Sequence, residues 1–199
     1  MANVSMEQIK ELRQRSGAGI NACKTALEET GGDIPKAIEF LQKKGLAKAA
    51  AKGKEAREGI VHSYIHPGGR VGVIVEVNCN TDFVARTEDF KVFADDVAMQ
   101  IAAMKPLYVD RQAVPADALA SQREIFIEQA RASGKPEKVL DKIVEGKVTK
   151  WYSEVCLLDQ PFIRDDSKTV DQIRGGVISK TGENIVVNRF VRYELGEKE

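Results

Sequence analysis

The chain has 199 residues, with 30 lysines and arginines against 30 aspartates and glutamates, so its formal net charge is zero. This balance excludes a uniformly basic nucleic-acid coat, an acidic disordered tail protein and a polybasic membrane anchor. The hydrophobic share of 43% and the charged share of 30% are ordinary for a globular protein, and the length allows one or two domains.

Residues 1–45 predict a compact domain of three short helices. Apolar residues recur there at helical spacing in three groups: Ile9 and Leu12; Ile20, Cys23 and Leu27; and Ile34, Ala37, Ile38 and Leu41. Gly17 and Gly19 separate the first two helices. Asp33 is the predicted N-cap of the third helix, and Gly45 is its predicted end.

Residues 46–57 form a basic stretch rich in alanine and lysine, without an apolar stripe. We expect a helical or flexible connector here. The net charge differs on the two sides of its end. Residues 1–57 carry 11 basic and 7 acidic side chains, whereas residues 58–199 carry 19 basic and 23 acidic side chains. The alternative interpretation is a nucleic-acid contact, but the stretch has no aromatic residue for base stacking.

Residues 58–199 predict an α+β core domain. Ile60 to His66 and the alternating valines of residues 71–77 predict a β-hairpin. A long helix follows, with one apolar face made of Phe90, Phe93, Val97, Ile101 and Met104. Further helices are predicted at residues 116–132, 137–157 and 169–180, and a third strand at Ile185 to Leu195. The economical arrangement is a three-stranded antiparallel sheet covered by helices.

The segment from Gly17 to Ala22 matches the letters of a dinucleotide-binding fingerprint, G-x-G-x-x-G/A. That motif binds a pyrophosphate only when it leaves a strand and opens a helix, whereas a helix is predicted before it here. We therefore expect a plain turn between helices and no nucleotide cofactor.

The cysteines and histidines do not predict a disulfide framework or a metal site. Cys23, Cys79 and Cys156 are widely spaced and form no CxxC pair. His62 and His66 fall on a predicted strand, where four-residue spacing places them ~13 Å apart, too far for one ion. Because the sequence also shows no leader peptide and no apolar span of ~18 residues, we expect a cytoplasmic protein without a membrane segment.

The segment Asn78 to Arg86 is the hardest to explain as core. It links a strong strand to a strong helix, and Thr81 is placed to cap a helical turn with Asp82 at its positive end. One interpretation is a simple connection in which Phe83 tucks into the core. The other is a rigid loop that presents a large apolar side chain flanked by charges, a composition typical of interface hot spots.

Several stretches spread over nearly the whole chain carry a family likeness: Leu12-Arg13-Gln14-Arg15-Ser16-Gly17-Ala18-Gly19, Lys24-Thr25-Ala26-Leu27, Gly32-Asp33, Glu76-Val77-Asn78-Cys79-Asn80-Thr81-Asp82-Phe83-Val84-Ala85-Arg86, Gly182-Glu183-Asn184-Ile185 and Arg189-Phe190-Val191-Arg192-Tyr193-Glu194-Leu195-Gly196. Together they resemble bacterial elongation factor Ts in its short form. The resemblance implies a guanine-nucleotide exchange factor for elongation factor Tu, which makes and breaks no bond itself. It also implies that the N-terminal helices form a ubiquitin-associated-like domain.

The resemblance also implies which residues contact elongation factor Tu. The first set reaches its GTPase domain near the Mg²⁺ and phosphate site and comprises Thr81, Asp82, Phe83, Val84, Ala85 and Arg86. The second set contacts the same domain and comprises Leu12, Arg13, Gly17, Ala18, Gly19 and Ile20. Longer family members contain a duplicated core, so a homodimer is expected to supply the second half here, with the edge strand Ile185 to Leu195 as the seam.

Two other classes of function stay open at this stage. A ribosome- or RNA-associated adaptor would use the basic connector, residues 46–57, as its contact surface. A cysteine-dependent enzyme is the third class, and it requires at least one reactive thiol. We expect direct nucleic-acid binding and catalysis to be absent.

Overall fold

The computed structural model describes residues 4–51, 56–133 and 137–197. Its first unit consists of helices α1 (Met6–Ser16), α2 (Ile20–Glu29) and α3 (Ile34–Ala51), which confirms the three predicted N-terminal helices. Ser5 begins α1 with a capping box, and the Asp33 carboxylate begins α3 by accepting a hydrogen bond of 3.0 Å from the Lys36 amide. The helices surround a small apolar core whose fully buried members are Leu12, Cys23, Ala26, Leu27 and Ala37.

The prediction that Gly45 ends the third helix is wrong, because α3 continues to Ala51. Gly45 lies instead against a second helix, where an added Cβ would be 2.7 Å from Ser179 Oγ. The glycine therefore allows close packing of two helices. The first half of the predicted connector belongs to α3, and residues 52–55 lie outside the described part of the chain.

The core sheet consists of β1 (Glu58–Ile65), β2 (Val71–Cys79) and β5 (Val186–Glu194) in the order β1-β2-β5, and both pairings are antiparallel. This confirms the predicted three-stranded sheet. Helix α5 (Glu88–Met104) packs on one face of it. The apolar face of α5 is buried as predicted, except that Met104 is 44% exposed.

The remaining helices are α4 (Asp82–Ala85), α6 (Ala116–Ala132), α7 (Glu137–Val155) and α8 (Val170–Thr181). Helices α6 and α7 pack against each other over a small core of their own, which contains Ala130, Val144 and Val148. A second sheet, made of β3 (Pro161–Phe162) and β4 (Asp165–Thr169), was not predicted. Its strands are short and β4 is polar throughout, so the sequence contains no apolar alternation at that point.

Helix α8 joins the three-helix unit to the sheet. Ile178 is buried in the core beneath the sheet, while the next residue faces α3. There the Ser179 hydroxyl donates a hydrogen bond of 3.2 Å to the Leu41 carbonyl. The two units therefore share an interface, and their division into separate domains stays a prediction.

A cluster of charged side chains at the end of β5 should make the stability of the fold depend on pH. Lys105 and Arg192 donate hydrogen bonds to the Glu194 carboxylate and lower its pKa from 4.5 to about 2. Because the folded state lowers this pKa, its stabilising effect is present above pH 4.5 and is lost as the pH falls toward 2. We expect Glu194→Gln to melt below the wild type at pH 7 and this difference to shrink between about pH 5 and pH 2. Thermal unfolding at several pH values measures it, and a difference that stays constant would contradict it.

Candidate functional site

The connection between β2 and α5 contains a capped helical turn, which we call the Phe83 loop, residues 80–86. Thr81 has extended backbone angles, and its hydroxyl accepts a hydrogen bond of 3.4 Å from the Val84 amide. The turn that it caps is α4. This confirms the predicted role of Thr81 as an N-cap and places Asp82 in the first helical turn, where the helix dipole favours a negative charge.

Phe83 points away from the protein. Its side chain is 77% exposed, more than any other large apolar side chain among the described residues. The interpretation in which Phe83 tucks into the core is therefore wrong. Ala85 is 6% exposed and Val84 packs against the main core, so the turn is anchored by its second half. A large aromatic side chain exposed above a buried base is a feature typical of interface hot spots.

Two opposite charges flank Phe83. The Arg86 guanidinium lies 2.8 Å from the Asp82 carboxylate, and both side chains are well exposed. An exposed ion pair of this kind contributes little to stability, typically ~0.3–0.5 kcal/mol for residues four apart on a helix. Both groups can therefore re-pair with a partner at small cost.

The base of the Phe83 loop is bonded to a residue that sequence reasoning did not assign to the site. The Glu183 carboxylate accepts hydrogen bonds from the backbone amides of Asn80 and Thr81. About a hundred residues separate these groups in the chain, so no local pattern could predict the contact. In the sequence, Glu183 is part of one stretch that resembles the family, but no role was predicted for it.

The second predicted surface is the turn between α1 and α2. Gly17 has a left-handed backbone (φ 68°), and its amide donates a hydrogen bond of 2.8 Å to the Arg13 carbonyl. Arg13, Gly17 and Gly19 are exposed, and Ile20 is 50% exposed although its spacing predicted burial. A helix precedes the glycines, so the predicted interhelical turn is confirmed.

Two residues of the second surface are buried. Leu12 is fully inside the helical core and Ala18 is 3% exposed. The Ala18 carbonyl lies 3.6 Å from Cys23 Sγ, and its amide donates to the Ser16 hydroxyl. We infer that Leu12 and Ala18 set the shape of the turn, while contact with a partner falls to its exposed residues.

The end of α8 supports both surfaces. On one side, Gly17 lies so close to Lys180 that an added Cβ would be 2.7 Å from Lys180 Cγ. The Lys180 ammonium is also 2.7 Å from Asp89, which lies in the first turn of α5 beyond the Phe83 loop. On the other side, Glu183 follows α8 directly and binds the loop. The two surfaces are thus mounted on one support.

The surroundings of the three cysteines do not favour nucleophilic chemistry. Cys23, Cys79 and Cys156 are all fully buried. Burial raises the pKa of the Cys79 thiol, and it raises that of Cys156 to about 11. A reactive cysteine requires a lowered pKa and access to solvent, so this arrangement speaks against the cysteine-dependent enzyme.

We expect all three thiols to resist alkylation by iodoacetamide in the native protein. At pH 8 a thiol with the pKa of Cys156 is about one part in a thousand thiolate, and burial blocks the reagent as well. Mass spectrometry should find no label on the native chain after an hour and three labels in urea. Fast labelling of one cysteine in the native protein would contradict this expectation.

The described residues contain no group of three or more histidine, cysteine, aspartate or glutamate side chains placed to bind a metal ion. Over the same residues, none of the helices combines the length and apolar character that crossing a membrane requires.

The fold and these surfaces define a class: an α+β protein in which a three-helix unit and a small helix-covered sheet present two exposed turns on a common support. Comparison with known proteins identifies the family. A family model described as elongation factor TS matches residues 5–197. The chain therefore belongs to the elongation factor Ts family and is a translation elongation factor.

Individual relatives match over almost their full length. Elongation factor Ts of Desulforamulus reducens is 58% identical over 198 residues, which cover 99% of this chain and 91% of that protein. Elongation factor Ts of Moorella thermoacetica is 55% identical, with 98% and 96% covered. The protein of the same name from Desulfitobacterium hafniense is 54% identical, with 99% and 91% covered.

Proposed function

We propose that this chain binds elongation factor Tu in its GDP-bound form and accelerates the release of GDP, so that GTP can load. The observation that carries the proposal is Phe83, a large apolar side chain 77% exposed on a turn whose base is buried. An isolated exposed aromatic side chain gains free energy only when a partner covers it. The family relationship supports elongation factor Tu as that partner.

In the proposed mechanism, Phe83 inserts between side chains of the GTPase domain near its Mg²⁺ and phosphate site. Asp82 and Arg86 orient the insertion through their charges. Mg²⁺ neutralises the phosphates of GDP, so displacing its ligands weakens nucleotide binding. Because coupling between two ligands is reciprocal, GDP must weaken the binding of this chain by the same factor. No bond is made or broken in this protein.

The turn between α1 and α2 provides a second contact with the same GTPase domain. Its exposed residues Arg13, Gly17, Gly19 and Ile20 are available for it. Both turns rest on the end of α8, which supports binding as a single preformed surface. Little conformational freedom is then lost on association, which favours tighter binding.

We also propose that the protein is a homodimer, through the face of the sheet that α5 does not cover. This open face carries five exposed apolar side chains: Val61, Ile65, Ile74, Val191 and Tyr193. The strand register aligns Ile74 with Val191 and Gly72 with Tyr193, so they lie side by side. An exposed face of an antiparallel sheet is usually polar, and a contiguous apolar patch marks an interface.

A second copy of the chain is the occupant of the open face that we favour. A two-fold interface brings the same patch from each subunit together, so an apolar face meets an apolar face. The family resemblance supports this, since longer members contain two cores where the described residues here contain one three-stranded sheet. We therefore propose the open face as the seam, in place of the edge of β5 that was predicted from the sequence.

The function is tested by release of a fluorescent GDP analogue from elongation factor Tu. We expect catalytic amounts of this protein to accelerate release by orders of magnitude over the spontaneous rate, in the cytoplasmic range of Mg²⁺. Unchanged release would overturn the proposal. Binding to RNA with a steep dependence on salt, combined with unchanged release, would instead favour the adaptor that uses residues 46–57.

A further inference from the structure

We propose that Glu183 is a positioning residue for nucleotide exchange: its carboxylate fixes the orientation in which the Phe83 loop presents Phe83. The inference rests on the proposed function and adds a residue that does not touch the partner. It is carried by the hydrogen bonds that converge on Glu183 from the base of the loop.

Three donors from two adjacent residues meet the Glu183 carboxylate. The Asn80 amide donates over 3.2 Å and the Thr81 amide over 3.0 Å, both to Oε2. The Thr81 hydroxyl donates over 2.7 Å to Oε1. Hydrogen bonds to an ionised carboxylate are stronger than neutral ones, and here both oxygens are used. Glu183 therefore determines where the chain turns from β2 into α4.

The hydroxyl contact transmits this position to Phe83. A threonine hydroxyl has one proton to donate and lone pairs with which to accept. Because the proton of Thr81 is directed at Glu183, a lone pair is left to accept from the Val84 amide at 3.4 Å, which is the cap of α4. Phe83 is the second residue of α4, two residues after the Thr81 cap.

A further hydrogen bond joins the same two segments, with the donor on the α8 side and the acceptor in the Phe83 loop. The Asn184 amide donates a hydrogen bond of 2.8 Å to the side-chain carbonyl of Asn80. Gly182 ends α8 with a left-handed backbone (φ 72°) and its amide bonded to the Ile178 carbonyl. The loop is thus tied to the end of a core helix, and not only to its own neighbours in sequence.

An amide in place of the carboxylate weakens this convergence. The glutamine oxygen can still accept from the two backbone amides, and its NH₂ can donate to the Thr81 hydroxyl, but the negative charge that strengthens all three hydrogen bonds is lost, and the Thr81 proton no longer has an acceptor at position 183. We expect Phe83 to remain exposed in Glu183→Gln but to sample several orientations. The partner must then order the loop on binding, which slows productive insertion.

The test compares Glu183→Gln with Asp110→Asn in the full chain. Asp110 is a matched control because its carboxylate also accepts from two backbone amides of a capped turn, those of Gln112 (2.8 Å) and Ala113 (3.0 Å), outside both surfaces. We expect the rate constant for stimulated GDP release to fall about tenfold in Glu183→Gln. The rate for Asp110→Asn should stay within about twofold of the wild type, as is typical of surface substitutions away from a site.

A double-mutant cycle separates positioning from general damage to the fold. If Glu183 acts through Phe83, Glu183→Gln should cost tenfold alone but almost nothing when added to Phe83→Ala. An equal loss in both backgrounds would overturn the proposal, as would wild-type exchange in Glu183→Gln alone.

Hydrogen exchange reports on the loop without the partner. The amide hydrogens of Asn80 and Thr81 should exchange faster in Glu183→Gln, while amides of β2 keep their protection. A wild-type chain that leaves GDP release unchanged would overturn the proposed function and with it the exchange role of Glu183. Unchanged protection of the two amides would overturn the positioning role by itself, whatever the exchange assay shows.

Discussion

Phe83→Ala is expected to lower the stimulated rate of GDP release from elongation factor Tu by roughly 30-fold or more, the equivalent of ~2 kcal/mol at an interface hot spot. The substitution should destabilise the complex with elongation factor Tu and the transition state for GDP release. It should not destabilise the free chain, because the phenyl ring touches little of its own protein. Since the side chain is 77% exposed, its removal creates no cavity. The melting temperature should therefore stay within about 2 °C of the wild type, as for surface substitutions.

Leu107→Ala is the matched control for this experiment. Leu107 is 66% exposed and lies in neither predicted surface, so losing it removes a comparable exposed apolar side chain. We expect it to leave stimulated release within about twofold of the wild type. Phe83→Leu, which keeps an apolar side chain of smaller reach, should fall between the two. Full activity of Phe83→Ala would contradict the insertion mechanism even if the chain still bound elongation factor Tu.

The regular elements were predictable because their signals are local. The 3.6-residue spacing of Ile9, Leu12 and their equivalents marks the helices, and the alternating valines of β2 mark the sheet. Each signal spans one element and does not depend on what that element meets. The α+β class followed from the order of these elements along the chain.

Gly45 shows where local signals fail. A glycine after an apolar stripe is typical of a helix end, but here it accommodates Ser179 of α8 from more than a hundred residues away. Nothing near Gly45 in sequence reveals that neighbour. The predicted burial of Ile20 is wrong for a related reason. Ile20 has the helical spacing of the apolar stripe, but it is the first residue of α2 and lies at the surface.

The local structure of the Phe83 loop was predictable, whereas the orientation of Phe83 was not. Thr81 as a cap and Asp82 in a first turn are local properties, and the structure agrees with them. The orientation of Phe83 is not local, because an aromatic residue in a single helical turn can face either way. Val84 and Ala85 contact the core, and Thr81 donates a hydrogen bond to Glu183; we infer that these contacts set the orientation.

Ile74→Lys is expected to convert the protein from a dimer to a monomer at micromolar concentration. Ile74 lies on the central strand of the open face, 48% exposed, with Ser63 and Val191 as its cross-strand neighbours. With the two-fold axis at the centre of this face, the two copies of residue 74 lie near each other. Two ammonium groups there would repel and lose hydration, so the dissociation constant should rise about a hundredfold or more.

Val92→Lys is the control, because Val92 is exposed to a similar extent, 45%, but lies on α5 and away from the open face. Sedimentation equilibrium of the three proteins at about 10 μM should give a dimer for the wild type and Val92→Lys, and a monomer for Ile74→Lys. Melting curves establish whether Ile74→Lys remains folded.

Exchange activity links the dimer to the function. If the second copy supplies part of the contact with elongation factor Tu, monomeric Ile74→Lys should stimulate GDP release less than the wild type at equal chain concentration. The loss should diminish as the concentration is raised, because mass action restores the dimer. A wild-type chain that sediments as a monomer at micromolar concentration while retaining full exchange activity would overturn the dimer, and it would leave the Phe83 loop sufficient for exchange by a single chain.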